Sequence, residues 1–321
     1  MKKKAIALLS GGVSPEREVS LNSGTQVYDA LDKNKYDVVR YDPKTDLARL
    51  VTDAPDIDAA LIILHGPYGE DGTIQGMLDL LQIPYQGTGV LGSAVAMDKV
   101  VTKQLYENAG LPTPPYVVLN RGDNSDPSDL VHRLGLPMVV KPSRDGSSIG
   151  MSIVRETNAV ETALNKAFLQ GPTILAEAYI EGIEVTGGVL GNDELEALPL
   201  IEIVPDKSRD FFDYKAKYQA GMTEEICPAR IDAVLTEKAQ HQAIMAHQTL
   251  FCRGYSRTDM ILSDQTFYVL ETNTIPGMTA TSLFPQAAAK AGYSFGQLMD
   301  RLIELAIADH RLKTREKPAS G

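Results

Sequence analysis

Two apolar runs without alternation, Ala5 to Leu9 and Ala59 to Leu64, constrain this chain more than any other feature. A strand with one wet face alternates apolar and polar residues. An unbroken apolar run reads instead as a strand covered on both faces, as in a parallel sheet flanked by helices. Both runs end in glycine-bearing loops, Ser10-Gly11-Gly12 and His65-Gly66-Pro67-Tyr68-Gly69, where such sheets place their functional loops. A helical pattern through Val19, Val27 and Leu31 follows the first, so the chain opens as an α/β unit, with a first boundary expected near residue 88.

The middle of the chain reads differently. Ser93 to Asn108 is helix-like and is stopped by Gly110, Pro112 and Pro114. Pro137 to Lys141 and Met151 to Val154 form a hairpin with a long tip, and Thr157 to Phe168 is a helix. Ile174 to Ile180 returns as a strand, giving a small α+β domain. Ala233 to Leu250 is a helix, Tyr255 to Leu262 and Thr266 to Asn273 are a strand pair, and Phe295 to Ala308 is a last helix before a charged tail.

At 321 residues the chain exceeds one compact core. Its net charge of −11 disfavours nucleic acid or an anionic membrane as the main partner, so an anionic ligand needs local cations. Cys227 and Cys252, far apart, suggest neither a disulfide frame nor a zinc site. Lys2 to Lys4 before Ala5 to Leu9 is too short for a signal peptide, and no apolar stretch approaches the roughly twenty residues of a membrane span. A cytoplasmic protein is expected.

Three clusters carry chemistry. A short turn within Ser263 to Thr266 would set Asp259 roughly opposite Glu271 and Arg257 roughly opposite Asn273, all on one face. Two carboxylates and an amide beside a guanidinium suit Mg²⁺; a solvated face with an incidental ion pair is the alternative. Val139-Val140-Lys141, followed by the Ser143 to Gly150 loop, offers a fixed cation and backbone N–H groups for a polyphosphate, or a plain hairpin tip. Glu16, near the start of the first helix, is a cap or dipole partner on sequence alone. A rival is Gly87-Thr88-Gly89-Val90-Leu91-Gly92 with Glu107 about twenty residues on, the pattern of a dinucleotide-binding protein. The preceding Ile83-Pro84-Tyr85 is short and carries proline, against that reading.

The ordered segments resemble the D-alanine:D-alanine ligases of the ATP-grasp superfamily up to Leu305. The carrying motifs are Gly11-Gly12 with Glu16-Arg17-Glu18-Val19-Ser20, Leu64-His65-Gly66 with Gly69-Glu70-Asp71-Gly72, Met97-Asp98-Lys99 and Val140 to Ser148. They continue through Asp213-Tyr214-Lys215-Ala216-Lys217-Tyr218, Arg257-Thr258-Asp259 and Glu271 to Thr279.

The resemblance implies a mixed α/β and α+β ATP-grasp fold of three domains: 1–87 with a parallel sheet, 88–182, and 183–321 with the metal site. It implies ATP-dependent joining of two D-alanines through an acyl phosphate, for peptidoglycan precursors, with D-lactate or D-serine as alternative acceptors. Lys99 and Lys141 would hold phosphates, with Ser148 over them. The backbone of Glu177, Ala178, Tyr179 and Ile180 would meet the adenine, and Glu184 the ribose. Ala178-Tyr179 departs from the lysine and tryptophan of many relatives. Asp259, Glu271 and Asn273 would bind two Mg²⁺ ions, for which Mn²⁺ can stand in; a monovalent cation is a further option. Glu16, linked to Ser147 and Tyr218 with His65 nearby, would hold the first substrate's ammonium, Ser282 the second's carboxylate and Lys217 the phosphoryl group. Arg257 and the Gly277 N–H would stabilise the oxyanion. Tyr218 favours an amine acceptor, and relatives are commonly homodimers.

Overall fold

The computed structural model describes residues 2–123, 126–144, 146, 149–205 and 223–315. It opens with β1 (Lys4–Ser10), α1 (Arg17–Ala30), β2 (Tyr36–Tyr41), α2 (Leu47–Asp53), β3 (Ala59–Ile63) and α3 (Thr73–Leu80). The strands form a parallel sheet of order β2-β1-β3. Ile6, Leu8, Leu61 and Ile63 pack into one apolar cluster, while Ala7, Leu9, Ile62 and Leu64 pack into another on the opposite face. Both faces are covered, which is why neither run alternates. Tyr85 adds only an isolated bridge to Ala60.

The helix expected from Ser93 to Asn108 is two helices, α4 (Val90–Met97) and α5 (Lys99–Asn108). Asp98 between them is extended, and its carboxylate accepts from the N–H groups of Val100 and Val101. A capping aspartate begins a new helix rather than continuing the old one.

Next come β4 (Tyr116–Asn120), α6 (Pro127–Leu134), β5 (Met138–Pro142), β6 (Ser152–Val154), α7 (Val160–Phe168) and β7 (Thr173–Ala178). Their strands pair antiparallel in the order β4-β7-β5-β6. Leu130 of α6 and Val160, Ala163, Leu164 and Ala167 of α7 share a buried cluster with strand residues Val117, Met138, Val140 and Ile174.

A larger antiparallel sheet follows: β8 (Ile183–Gly191), β9 (Glu196–Ala197), β10 (Ile201–Pro205), β11 (Thr223–Ile226), β12 (Gly254–Ser263) and β13 (Thr266–Asn273). Its order among the described residues is β11-β10-β8-β12-β13, with β9 on β8. α8 (Ala233–Thr249) covers it through Ala239, Ala243 and Ala246. α9 (Leu283–Lys290) and α10 (Phe295–Arg315) tie it to the N-terminal sheet through one shared core. α10 runs past the expected end at Ala308. Among the described residues no helix is long and apolar enough to cross a membrane.

The β12–β13 hairpin positions the chemistry. Its two-residue turn, Asp264-Gln265, has both residues left-handed, φ 45° and 64°, the turn whose twist suits a tight hairpin. Strict pairing from Ser263↔Thr266 would continue past Met260↔Val269 and set Asp259 opposite Leu270. The register shifts there instead, leaving Leu270 as the extra residue and pairing Asp259 with Glu271 and Arg257 with Asn273. A bulge of this kind turns later side chains onto the other face.

Two glycines of the dinucleotide-like segment, Gly87 and Gly92, serve packing. A Cβ on Gly87, at φ +87°, would sit 3.1 Å from the Tyr255 ring. One on Gly92 would lie 2.6 Å from the Leu250 carbonyl oxygen and 2.5 Å from Thr88 Cγ2. Gly92→Ala should therefore cost about 1–3 kcal/mol of stability by overpacking, seen as a lower midpoint in thermal unfolding. An unchanged midpoint would show that the contact yields freely.

Candidate functional site

Between the two antiparallel sheets lies a cleft of about 370 Å³, within the range of small-molecule sites. Val139 and Ile153 line it from one sheet, with Met151 just before β6, and Ile261 and Leu270 from the other, making an apolar slot. Tyr179, Ile180 and Glu184 also line it. Tyr179 N–H donates to the Pro137 carbonyl and Ala178 N–H to that of Pro115, so this segment is fixed by its own backbone.

One end of the cleft is polar. Lys99, Lys141, Glu177, Asp259 and Glu271 all line it. Arg257 donates to Asp259 through Nε (2.9 Å) and Nη2 (2.8 Å), Asn273 Nδ2 donates to Asp259 Oδ2 at 3.1 Å, and Thr186 Oγ1 donates to Asp259 Oδ1 at 2.5 Å. Lys99 Nζ lies 3.6 Å from Glu271 Oε2. Asp259 is buried and fully engaged, so the cluster is not an incidental ion pair on a solvated face. On the opposite wall Lys141 Nζ is 2.9 Å from Glu177 Oε2.

A second cluster sits where α1 and the β3 loop meet. Glu16 is only 6% exposed, and although it occupies the N-cap position of α1 its side chain makes no cap hydrogen bond. The structure thus rejects the simple capping role. A Cβ on Gly66, at φ +70°, would be 3.0 Å from Glu16 Oε2, so that carboxylate lies against the His65-Gly66 loop. Burial pulls the His65 imidazole below its ordinary range, opposed by the Glu16 charge.

Glu70, quoted in a motif without a role, belongs to this cluster. Gly66 N–H donates to Glu70 Oε2 at 2.5 Å. Burial raises the Glu70 carboxyl to about 8; the Gly66 bond and Arg257 oppose the shift, while Glu16 and Glu271 add to it. Glu70 therefore lies within electrostatic reach of both clusters. Its sequence signal was acidity in a glycine-rich loop, which does not separate a half-buried carboxylate from a wet one.

The region after β13 supplies the remaining residues. Ser282 is the N-cap of α9, and its Oγ accepts from Thr279 N–H at 3.1 Å. A Cβ on Gly277 would lie 3.1 Å from that same Oγ, so Gly277 and Ser282 are neighbours. Ser147, Ser148, Lys217 and Tyr218 lie outside the described residues.

Lys99 beside an arginine-flanked carboxylate pair, with Lys141 across an apolar slot between two antiparallel sheets, is an arrangement that suits an ATP-grasp ligase. The comparisons specify the family. The model for the D-ala D-ala ligase N-terminus matches residues 42–88, and that for the C-terminus matches 105–304. A D-alanine–D-alanine ligase of Syntrophobacter fumaroxidans is 61% identical, covering 96% of this chain and 99% of its own. One from Desulfotalea psychrophila is 55% identical over 94% of each. The Bacillus anthracis D-alanine–D-alanine ligase complexed with ATP superposes with a TM-score of 0.84 at 34% identity, over 97% of this chain and 99% of that one. The VanG D-Ala:D-Ser ligase of Enterococcus faecalis gives 0.82 at 32%, over 95% and 100%. The chain belongs to the D-alanine–D-alanine ligase family. The curated relatives of higher identity are D-alanine–D-alanine ligases, which favours that reading over the D-serine acceptor of VanG, and none of these relatives is a dinucleotide-binding protein or a D-lactate ligase.

Because the Glu70 value in the folded protein exceeds its ordinary 4.5, folding takes up a proton there. That contribution to stability is present below about pH 4.5 and is lost as pH rises towards about 8. Glu70→Gln should flatten the profile of unfolding midpoint against pH across this window. An unchanged slope would show Glu70 already ionised in the folded protein.

Proposed function

We propose that this protein joins two D-alanine molecules with consumption of ATP, and that its chain divides into units 1–87, 88–182 and 183–321 around that reaction. The carrying observation is the register that sets Arg257, Asp259, Glu271 and Asn273 together at the mouth of a slot lined by Lys99 and Lys141. Family membership supplies the substrates.

Adenine would occupy the apolar slot beside Glu177 to Ile180, with Glu184 on the ribose and Lys99 and Lys141 on the phosphates. Asp259, Glu271 and Asn273 fit Mg²⁺ by their donor chemistry, carboxylate and amide oxygens. Among the described residues no group of three or more His, Cys, Asp or Glu side chains could hold a metal. Phosphate oxygens and water would complete the shell, as is usual for Mg²⁺. When bound, the ion supplies charge neutralisation to the transferring phosphoryl group. Mn²⁺ as a substitute, a monovalent cation and a homodimer come by resemblance alone, and a cytoplasmic location fits the need for ATP.

The chemistry follows from an unreactive carboxylate. An oxygen of the first D-alanine attacks the γ-phosphorus and ADP leaves. The amine of the second attacks the acyl carbon of the resulting acyl phosphate, phosphate leaves and the amide bond forms. Glu16, buried against the His65-Gly66 loop, offers the carboxylate for the first substrate's ammonium. The Ser282 hydroxyl at the start of α9 offers a donor for the second substrate's carboxylate. Arg257 and the Gly277 N–H, preorganised on β12 and the turn after β13, would stabilise the tetrahedral oxyanion. Ser147 and Tyr218 would complete the Glu16 network, with Ser148 and Lys217 on the phosphates.

Incubation with ATP, Mg²⁺ and D-alanine should release phosphate and D-alanyl-D-alanine in equal amounts. Arg257→Met should lower kcat by about 10²–10³-fold, as for loss of an oxyanion donor. D-alanine-dependent phosphate release without dipeptide would sink the proposal.

A further inference from the structure

Lys103 is the buried residue that the proposed chemistry leaves unused. It is 1% exposed and is not among the described residues lining the cleft. Its ammonium lies 3.3 Å from Glu177 Oε1, donates to the Pro114 carbonyl at 3.2 Å and sits 5.1 Å from the centre of the Tyr116 ring. The other Glu177 oxygen is the one at 2.9 Å from Lys141. Glu177, 2% exposed, thus stands between two lysines, one sealed behind it and one in the cleft.

Burying a lysine is costly, and a single buried Lys–Glu pair gains little over apolar packing. A stability role therefore explains Lys103 poorly. Charge arithmetic explains it better. Glu177 alone would neutralise Lys141 and leave the phosphate end of the slot without that cation. Two ammonium groups sharing one carboxylate carry a net single positive charge, and only Lys141 can present it to the cleft. Glu177 Oε1 has no aligned hydrogen bond among the described residues, so Lys103 acts on it through charge. The lysines pull the Glu177 carboxyl below its ordinary range although burial pushes it up.

Helix geometry supports the assignment. Lys99 and Lys103 lie one turn apart on α5 and so share a face. Lys99 reaches Glu271 on the larger sheet, and Lys103 reaches Glu177 on the smaller one. One helix face thus delivers a cation to a carboxylate on each wall of the slot.

We infer that Lys103 is a positioning residue for the nucleotide: by balancing Glu177 from behind, it leaves the Lys141 charge free for the phosphate groups. This rests on the proposed ATP site. The test is calorimetric titration of the full chain with ADP and Mg²⁺, alongside KM for ATP and for D-alanine. Lys103→Met should weaken ADP binding and raise the ATP KM by about tenfold or more, the scale on which supporting residues act, with the D-alanine KM changed less than about twofold. Because it is the backbone of Glu177 that would meet the adenine, the double variant Lys103→Met with Glu177→Gln, which removes one charge of each sign, should recover affinity to within about threefold of the parent. If the single variant does not fold, the double variant is read against the parent alone, and affinity more than about threefold below the parent overturns the inference. A double variant as weak as the single one, a single variant that binds normally, or equal rises in both KM values would overturn the inference. A parent protein that binds no ADP would instead remove the proposed function beneath it.

Discussion

The site depends on a single irregular residue. Leu270 is the extra member of the β12–β13 ladder, and its insertion pairs Asp259 with Glu271 rather than with Leu270 itself. Without it the period of two would carry Glu271 and Asn273 to the opposite face of the sheet from Arg257 and Asp259. The left-handed Asp264-Gln265 turn fixes the register from one end, and pairing with β8 holds β12 along its whole length. Thr186 on β8 then grips Asp259 from the side. Backbone geometry therefore sets the relative positions of two carboxylates, an amide and a guanidinium before any ligand arrives, which is the preorganisation that electrostatic catalysis needs.

Around this hairpin an acidic chain assembles a site for an anion. With a net charge of −11, general attraction works against a polyphosphate, so the cations must be local and held in place. Lys99 pairs with Glu271, Arg257 with Asp259, and Lys141 with Glu177. Each cation meets a carboxylate within the site, and Lys103 alters that balance on one wall. The same clustering moves proton affinities in opposite directions: the Glu70 carboxyl rises where burial and like charges dominate, and Glu177 falls where two lysines outweigh burial.

Much of this was legible in the sequence because it rests on local periodicity. Unbroken apolar runs marked β1 and β3, and the spacing of Arg257, Asp259, Glu271 and Asn273 suggested a shared face. The bulge was not legible, since Leu270 differs in no obvious way from its neighbours on the strand. The break at Asp98 was hidden by apolar residues on both sides that suit a continuous helix. Glu16 read as a cap because position alone does not show where a side chain turns. Nothing in the sequence singles out Lys103 within α5. Its meaning comes from Glu177, distant in sequence, and a pair across two elements leaves no mark on either segment alone. Ser147, Ser148, Lys217 and Tyr218 stand on resemblance, and what they add is chemical role rather than geometry.

The central claim is that the paired carboxylates and lysines of the slot serve transfer of a phosphoryl group to a substrate carboxylate. Isotope tracing addresses it directly: turnover of D-alanine labelled with ¹⁸O in its carboxylate, with mass analysis of the phosphate released. Acyl phosphate chemistry predicts that one labelled oxygen passes from each activated D-alanine into inorganic phosphate. Released phosphate free of label, with dipeptide still formed, would contradict the account.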